Sequence, residues 1–325
     1  MKFFKQWAVI VALGCCMSVY AETQPTSAVT YLFNGRFGDR MVTYYKAKLL
    51  AHAYDLPLLY KRPPYGEGLV MDVAEEQRFD EGDVKKRFER VVTFHRNFDY
   101  KKKQDQWAVK RDNATLYVVS LFTPLEKLGV AETVKDDPVF LQKLQQMISP
   151  RFPLQNIFRP HDQITVAVHV RKGGGADWPL LSKATRKVHY ADVQWPLKFP
   201  PNEFYIDQLK RLAAMYDKKP MYVHIFTDDP NPQYFIDLFK AALTDVPITF
   251  AARQAGNAHN SNVLDDFFGM MSFDCLIRPT SSFTQMVELM GNHQVVIYPT
   301  KSHWEGEKLI IDDVRVIDKR KCFPS

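Results

Sequence analysis

The residues best suited to chemistry lie at the end of one short apolar run near the middle of the 325-residue chain. Residues 163–175 read QITVAVHVRKGGG, which places His169, Arg171 and Lys172 at the end of a β-branched run and three glycines after it. Arginine presents a rigid fork of donors that suits phosphate oxygens, and glycine lets backbone N–H groups approach an anion. The pattern predicts a strand end that binds a diphosphate. The alternative is a buried strand followed by a solvated basic turn.

Two further polar clusters come where later strands are expected to end. One reads TDDP and contains Asp228 and Asp229, and the other reads RPTSSFTQ and contains Ser281 and Ser282. The serines can begin a helix whose free N–H groups face an anion, although capping alone also explains a serine pair. The two acids could bind a metal, but adjacent acids before proline are common turn formers. No Cys/His spacing indicates zinc, and the sequence contains no GxxxxGK[ST] phosphate loop.

Alternating strands and helices are predicted around these clusters. In the second half we predict strands over 164–170, 221–226, 248–251, 275–277 and 294–298, helices over 203–216, 234–243, 263–273 and 281–290, and an irregular insertion over 183–201. Such repetition predicts a parallel sheet covered by helices. Ligands bind outside the carboxyl ends of the strands in sheets of this kind, where the polar clusters fall.

The first half predicts a similar unit with a weaker pattern. We predict strands over 29–33, 56–59 and 116–121, a glycine turn over 34–38, and helices over 40–54, 84–92 and 139–148. A stretch that reads SPRFPLQNIFRP is interpreted as a bridge between two domains. The predicted fold class is therefore α/β, with two Rossmann-like domains facing a cleft. Their predicted ranges are 22–155 and 156–325.

The composition indicates an ordinary globular protein. A hydrophobic fraction of 46% with 25% charged residues is ordinary for a globular protein, and the net charge of +6 is mild and scattered. Nucleic-acid binding is therefore not predicted.

Residues 1–21 have the basic, apolar and small-residue parts of a secretory signal, and the apolar part is short for a membrane span. We expect an exported protein that is secreted, periplasmic, or lumenal in the ER or Golgi, with no membrane span after cleavage.

Removal of a signal would leave two cysteines in the chain. Cys275 and Cys322 can pair in an exported protein. However, Cys275 stands in an apolar run, which equally indicates a buried free thiol.

Four motifs resemble those of one family. HVRK, FTDDP and DDFFGMMSFDCLIRPTSSFTQMVELM resemble, in this order, three motif regions of the α-1,6- and O-fucosyltransferase superfamily. FNGRFGDRM resembles a turn near the start of the protein O-fucosyltransferase branch. The resemblance implies a two-domain glycosyltransferase of the GT-B type that uses GDP-fucose as donor, with no cofactor and no essential metal.

The resemblance also implies roles for individual residues. Arg171 corresponds to the arginine that holds the donor β-phosphate, with His169 beside it, and Asp266 to an acid of the nucleotide pocket. The predicted donor-binding residues are Gly35, Arg36, Gly38, Asp39, His169, Arg171, Lys172, Gly173, Asp228, Asp229, Asp266, Ser281 and Ser282.

Several residues depart from the family pattern. Lys172 stands where the α-1,6 branch has a second arginine, and glycines and a proline replace the acids that follow there. Asp177 is the nearest carboxylate and is the predicted catalytic base beside Arg171. Asp39 stands where the O-fucosyl branch has Asn, so its carboxylate would repel a diphosphate if it pointed inward.

We therefore expect an inverting, metal-independent fucosyltransferase whose partners are GDP-fucose and a glycan or glycoprotein acceptor. Two alternatives stay open. One is a catalytically inactive protein of the same fold that binds a GDP-sugar or a glycan, and the other is a transferase that uses another nucleotide sugar.

Overall fold

The protein forms two β-sheets with helices packed against them. The computed structural model describes residues 27–100, 107–172 and 195–322. The proposed signal, Gly173, Asp177 and most of the predicted insertion lie outside these residues. Within them, no helix is both long enough and apolar enough to cross a membrane.

The first sheet has three parallel strands: β1 (Ala28–Tyr31), β2 (Arg90–Phe94) and β3 (Thr115–Val119). Their order is β1-β3-β2. All five residues of the central strand β3 are buried, as expected for an apolar strand covered on both faces. The predicted strand over 56–59 is reduced to a single bridge between Leu58 and Val29.

Five helices of the described residues accompany this sheet: α1 (Phe37–Ala53), α2 (Met71–Ala74), α3 (Glu81–Arg87), α4 (Glu132–Lys135) and α5 (Pro138–Met147). The helix predicted over 84–92 is wrong in its second half. It ends at Arg87, and the β-branched residues that follow pair with β3 instead. The apolar spacing of these residues also fits a helix, but backbone pairing with the buried strand β3 favours the strand.

The second sheet has six strands in the order β6-β5-β4-β7-β8-β9. The strands are β4 (Ile164–Val170), β5 (Met221–Thr227), β6 (Ile248–Ala252), β7 (Cys275–Ile277), β8 (Val295–Glu305) and β9 (Lys308–Asp318). The strands β4 to β8 are parallel, which confirms the predicted α/β class. The prediction ends β8 at residue 298, whereas β8 continues into an antiparallel hairpin with β9.

Four helices follow the pattern predicted for the second half: α6 (Asn202–Met215), α7 (Gln233–Ala242), α8 (Val263–Met271) and α9 (Ser282–Met290). The bridge after α5 lies along α8, where the Gln155 N–H donates to Asp265 Oδ1 at 2.8 Å. The side chain of Ile157 lies against Gly269 of the same helix. The domain boundary at residue 155 stays a prediction.

A single hydrophobic cluster joins the two halves. It contains Phe37 and Met41 of α1 together with Phe267 of α8 and Val287 of α9. The Phe37 and Phe267 rings meet edge to face, with centroids 5.4 Å apart. Aromatic pairs prefer such geometry, so the contact holds the start of α1 against the second sheet's helices.

Gly38 permits the closest approach between α1 and α9. A Cβ atom at this position would lie 2.3 Å from the Phe283 backbone nitrogen. No side chain fits at that distance, so the first turns of the two helices lie side by side only because residue 38 is glycine.

Cys275 in β7 is a buried free thiol. Its Sγ lies 3.4 Å from the Tyr216 hydroxyl. The free-thiol alternative is the one that the structure shows.

Candidate active site

A cavity of about 280 Å³ opens at the carboxyl ends of the second sheet's parallel strands. Its walls come from both halves of the chain: the turn before α1 and the first turn of α1 on one side, and the ends of β4 and β5, the loop after β6 and the start of α9 on the other. The predicted residues that line it are Gly35, Arg36, Gly38, Asp39, His169, Arg171, Asp228, Asp266, Ser281 and Ser282. The structure thus brings ten of the predicted site residues to one place, while their roles stay predictions.

Arg171 and Asp228 face each other from neighbouring strand ends. Val170 of β4 pairs with Thr227 of β5, so the residues that follow them emerge side by side. Burial raises the pKa of Asp228, and the nearby positive charges of Arg171 and Arg36 oppose that effect. The Asp228 Oδ1 accepts a hydrogen bond from the Lys172 N–H at 2.7 Å. The guanidinium of Arg171 lies 5.8 Å from the centre of the Phe199 ring.

His169 is held neutral in the cavity wall. Burial, followed by the charges of Arg171 and Arg278, lowers its pKa to about 3. Its Nδ1 is buried and has no hydrogen-bond partner among the described residues. A neutral imidazole presents one donor and one acceptor, so His169 can bond a polar ligand without adding charge.

The turn before α1 contributes backbone groups and three charged side chains to the cavity. Gly35 has a φ of 75°, and a Cβ there would lie 2.0 Å from the Asp39 carboxylate. Asp39 Oδ2 accepts from the Arg36 N–H at 3.3 Å, and Arg40 Nε donates to the Gly35 carbonyl at 2.9 Å. Asp39 therefore bonds to its own helix start while it lines the cavity.

The start of α9 presents backbone donors next to the start of α1. Ser281 is the residue before the helix, yet its side chain makes no capping hydrogen bond. Capping therefore does not account for the serine pair. Helix N-termini attract anions through free N–H groups and the positive end of the helix dipole. Two such ends meet at this cavity because α1 and α9 pack closely at Gly38 and Phe283.

Asp266 lies on α8 and lines the cavity. Burial raises its pKa to about 6, an effect that the adjacent Arg253 opposes. The Arg253 Nη1 and Asp266 Oδ1 are 2.5 Å apart. Only the ionised carboxylate can accept hydrogen bonds from a nucleobase edge at both oxygens, because the protonated acid uses one oxygen as an O–H donor.

Lys172 and Asp229 do not line the cavity, unlike the other described residues of the predicted donor set. The Lys172 side chain is buried, and its Nζ donates to Asn202 Oδ1 at 2.7 Å. Asp229 is also buried and accepts from the Asn231 N–H at 2.8 Å, as a turn-forming aspartate does. Side chains alternate direction along an extended segment, so Lys172 points away from the cavity that Arg171 faces.

Sequence analysis left open whether His259 and His303 line the cleft or are satisfied within loops, and it did not identify Tyr65. Tyr65 has a φ of 64°, and its hydroxyl donates to the Asn260 carbonyl at 3.1 Å. This bond joins a loop of the first half to the NAHNS loop after β6, which includes His259 and lines the cavity. That polar loop also follows a parallel strand, so the rule that located the other clusters could have found it. His303 instead bonds to Asp312 on the β8–β9 hairpin.

No group of three or more His, Cys, Asp or Glu side chains could hold a metal ion in the part of the chain that the structure describes.

Several solved structures resemble this fold. An Arabidopsis thaliana FUT1 mutant in complex with GDP matches with a TM-score of 0.53 and 13% identity, over 87% of this chain and 72% of that chain. The POFUT1 apo form gives 0.47 and 14% identity over 84% and 97% of the two chains, and NodZ fucosyltransferase from Bradyrhizobium gives 0.44 and 15% over 90% and 98%. No family model and no curated protein matches the sequence. The match to the Arabidopsis protein shows that the chain has a fucosyltransferase-like α/β fold.

Proposed function

We propose that the protein is a glycosyltransferase that transfers fucose from GDP-fucose to a hydroxyl of a glycan or protein, with inversion. The observation that carries this proposal is the convergence of Arg171 and the starts of α1 and α9 on one cavity at the strand ends. These groups form a site for two linked phosphoryl groups. The Arabidopsis protein with this fold was solved with GDP, which supports a guanosine diphosphate as the ligand.

The proposed reaction exchanges one bond for another at the anomeric carbon. The bond between that carbon and the β-phosphate oxygen breaks, and its electron pair leaves with GDP. The acceptor oxygen bonds to the opposite face of the same carbon and gives up its proton. The sugar passes through an oxocarbenium-like state, and negative charge develops on the departing diphosphate, which therefore requires stabilisation.

Arg171 and the free N–H groups of the two helix starts supply that stabilisation. They lie in fixed positions before the reaction, so no reorganisation is needed when charge develops on the leaving group. His169, which burial keeps neutral, can bond the donor without repelling or neutralising it. We propose that Asp266, which also lines the cavity, accepts from the guanine edge.

We propose Asp177 as the base that accepts the acceptor proton, as the sequence predicts. Asp228 is a second carboxylate at the cavity, and burial raises its pKa. Replacement of each acid by Asn separates the two. The proposal requires transfer to be lost in Asp177→Asn while GDP binding is kept.

Nucleotide release from GDP-fucose, GDP-mannose and UDP-sugars tests the donor. GDP-fucose is expected to react fastest, and Arg171→Lys to reduce that rate by about 10²-fold, since lysine keeps the charge but loses the bidentate fork. Arg315→Lys, on the exposed side of β9, is the matched control. Equal rates for every donor, or an unchanged rate in Arg171→Lys, would refute the proposal.

One observation favours a second candidate, a donor-binding protein without turnover. Glycines and a proline follow Lys172 in place of the acids that the resemblance to the α-1,6 branch leads us to expect there, so a catalytic carboxylate is missing from those positions. Incubation of immobilised glycans with GDP-fucose carrying labelled fucose distinguishes the two functions. Only the transferase deposits label that survives washing in denaturant.

We also propose that the protein acts after export, directed by residues 1–21. Sequencing the amino terminus of the exported protein tests this. A start near residue 22 is expected, and retention of the uncleaved chain in the cytosol would contradict it.

A further inference from the structure

A second and larger cavity adjoins the first one. It measures about 810 Å³ and shares Lys198, Ser281 and Ser282 with the first cavity. Because these three residues belong to both walls, a molecule in the second cavity lies next to a molecule in the first. Two adjacent cavities suit a reaction in which two substrates bind side by side.

Three elements build the second cavity. One wall is the segment 195–198. The Leu197 carbonyl of this segment accepts a hydrogen bond from the Thr280 N–H at 2.9 Å. This bond fixes the segment against the start of α9. The other wall is β8 beyond residue 297, the part of the strand that continues into the β8–β9 hairpin.

The lining combines aromatic rings with neutral polar groups. Trp195 is 44% exposed, and Tyr298 contributes a second ring. The neutral hydroxyl and amide side chains are Thr280, Ser281, Ser282, Gln285, Thr300 and Ser302. Such groups both donate and accept, which suits sugar hydroxyls, and an exposed indole face suits the C–H side of a sugar ring. A cavity of this size falls in the range of ordinary ligand sites.

Two of the charged groups in this lining are already paired within the protein. Arg278 Nε donates to Glu288 Oε2 at 2.7 Å, and its guanidinium lies 4.0 Å from the Tyr298 ring centre. Asp312 Oδ1 lies 2.6 Å from His303 Nδ1. Lys198 and Lys301 are the other cations of the lining. Because Arg278 and Asp312 are paired within the protein, neither requires a charged group of the ligand as its partner.

We infer that the second cavity is the acceptor subsite and binds a neutral oligosaccharide, with a sugar ring on Trp195 and the reacting hydroxyl directed past Ser282 toward the first cavity. The assignment of an acceptor rests on the proposed transferase function. The assignment of a saccharide rests on the lining itself.

A printed array of neutral and acidic oligosaccharides, probed with the purified protein, tests the inference. The wild-type chain is expected to retain at least one neutral oligosaccharide, and Trp195→Ala to reduce the retained signal at least tenfold. Trp195→Phe keeps a ring and is expected to restore most of it. Trp304→Ala is the matched control. Trp304 is 37% exposed on the β8–β9 hairpin, which forms the other wall of the second cavity, but its side chain lines neither cavity.

Titration of the same proteins with GDP separates the inference from the proposed function. GDP bound with no neutral oligosaccharide retained, or retention confined to acidic oligosaccharides, overturns the saccharide subsite alone. Retention that is unchanged in Trp195→Ala also overturns it. Oligosaccharide retained through Trp195 without GDP binding supports the saccharide site and refutes the transferase.

Discussion

At the scale of single residues, burial sets the charges that the active-site cavity offers to a ligand. It keeps His169 neutral and brings the pKa of Asp266 to about 6, close to physiological pH. Of these two residues, only Asp266 is therefore expected to change its charge between pH 5 and 8.

Binding of GDP-fucose is expected to weaken by about tenfold when the pH falls from 7.5 to 5. The pKa of Asp266 is raised to about 6, so below that pH the group becomes protonated, loses its negative charge and accepts at one oxygen instead of two. Calorimetric titration at several pH values measures this. Asp266→Asn has a similar shape without the ionisation, and identical pH profiles for it and the wild type would contradict the role of Asp266.

Cys275 is expected to resist alkylation in the folded protein. Burial raises the pKa of its thiol to about 12, and no part of the side chain is exposed. The nucleophile is the thiolate, so both effects slow the reaction. Iodoacetamide treatment followed by mass spectrometry of the peptide should show modification only after unfolding in guanidinium. Equally fast modification of the native chain would contradict this.

Residue types predicted which segments meet at the cavity, but they did not predict which side chain of each segment faces it. Arg171 and Asp228 line the cavity, whereas their neighbours Lys172 and Asp229 do not. Adjacent residues of an extended segment point to opposite sides, and sequence alone does not say which one faces the ligand. Tyr65 was not predicted because its contact with Asn260 joins loops that are distant in sequence.

At the scale of elements, the alternation of β-branched runs with amphipathic helices predicted the second sheet, including the bounds of β4 and β7. The hairpin was missed because β9 lies partly exposed at the sheet edge and carries alternating charges. Such a strand has no continuous apolar run to identify it. The same hairpin forms one wall of the inferred acceptor subsite.

The contact between α1 and α9 depends on Gly38. Gly38→Ala is expected to lower the free energy of unfolding by about 1–3 kcal/mol, because the added methyl group would meet the Phe283 backbone. Urea denaturation followed by circular dichroism measures the change. Gly82→Ala in the exposed helix α3 is the control, with a change within about 1 kcal/mol. Equal stability of the two variants would show that the helix contact is not tight.

At the scale of the whole molecule, one hydrophobic cluster connects the two sheets across the cavity. Sequence analysis predicted two domains but not this shared core, since contacts such as Phe37 with Phe267 and Phe283 link distant parts of the chain. The cavity exists between the halves because this core fixes their separation.

Unfolding in urea is therefore expected to occur in one cooperative transition, with coincident midpoints from far-UV circular dichroism and tryptophan fluorescence. Trp107 lies in the first half and Trp195 in the second, so fluorescence samples both. Two separated transitions would show that the predicted domains are stable independently.

The central claim is that the strand ends and helix starts form a diphosphate site around Arg171, and isothermal titration with GDP tests it most directly. Wild-type protein is expected to bind GDP, Arg171→Ala to weaken the affinity by about 10- to 100-fold, and Arg315→Ala to leave it unchanged. No binding at millimolar GDP, or equal affinity in Arg171→Ala and the wild type, would contradict the account.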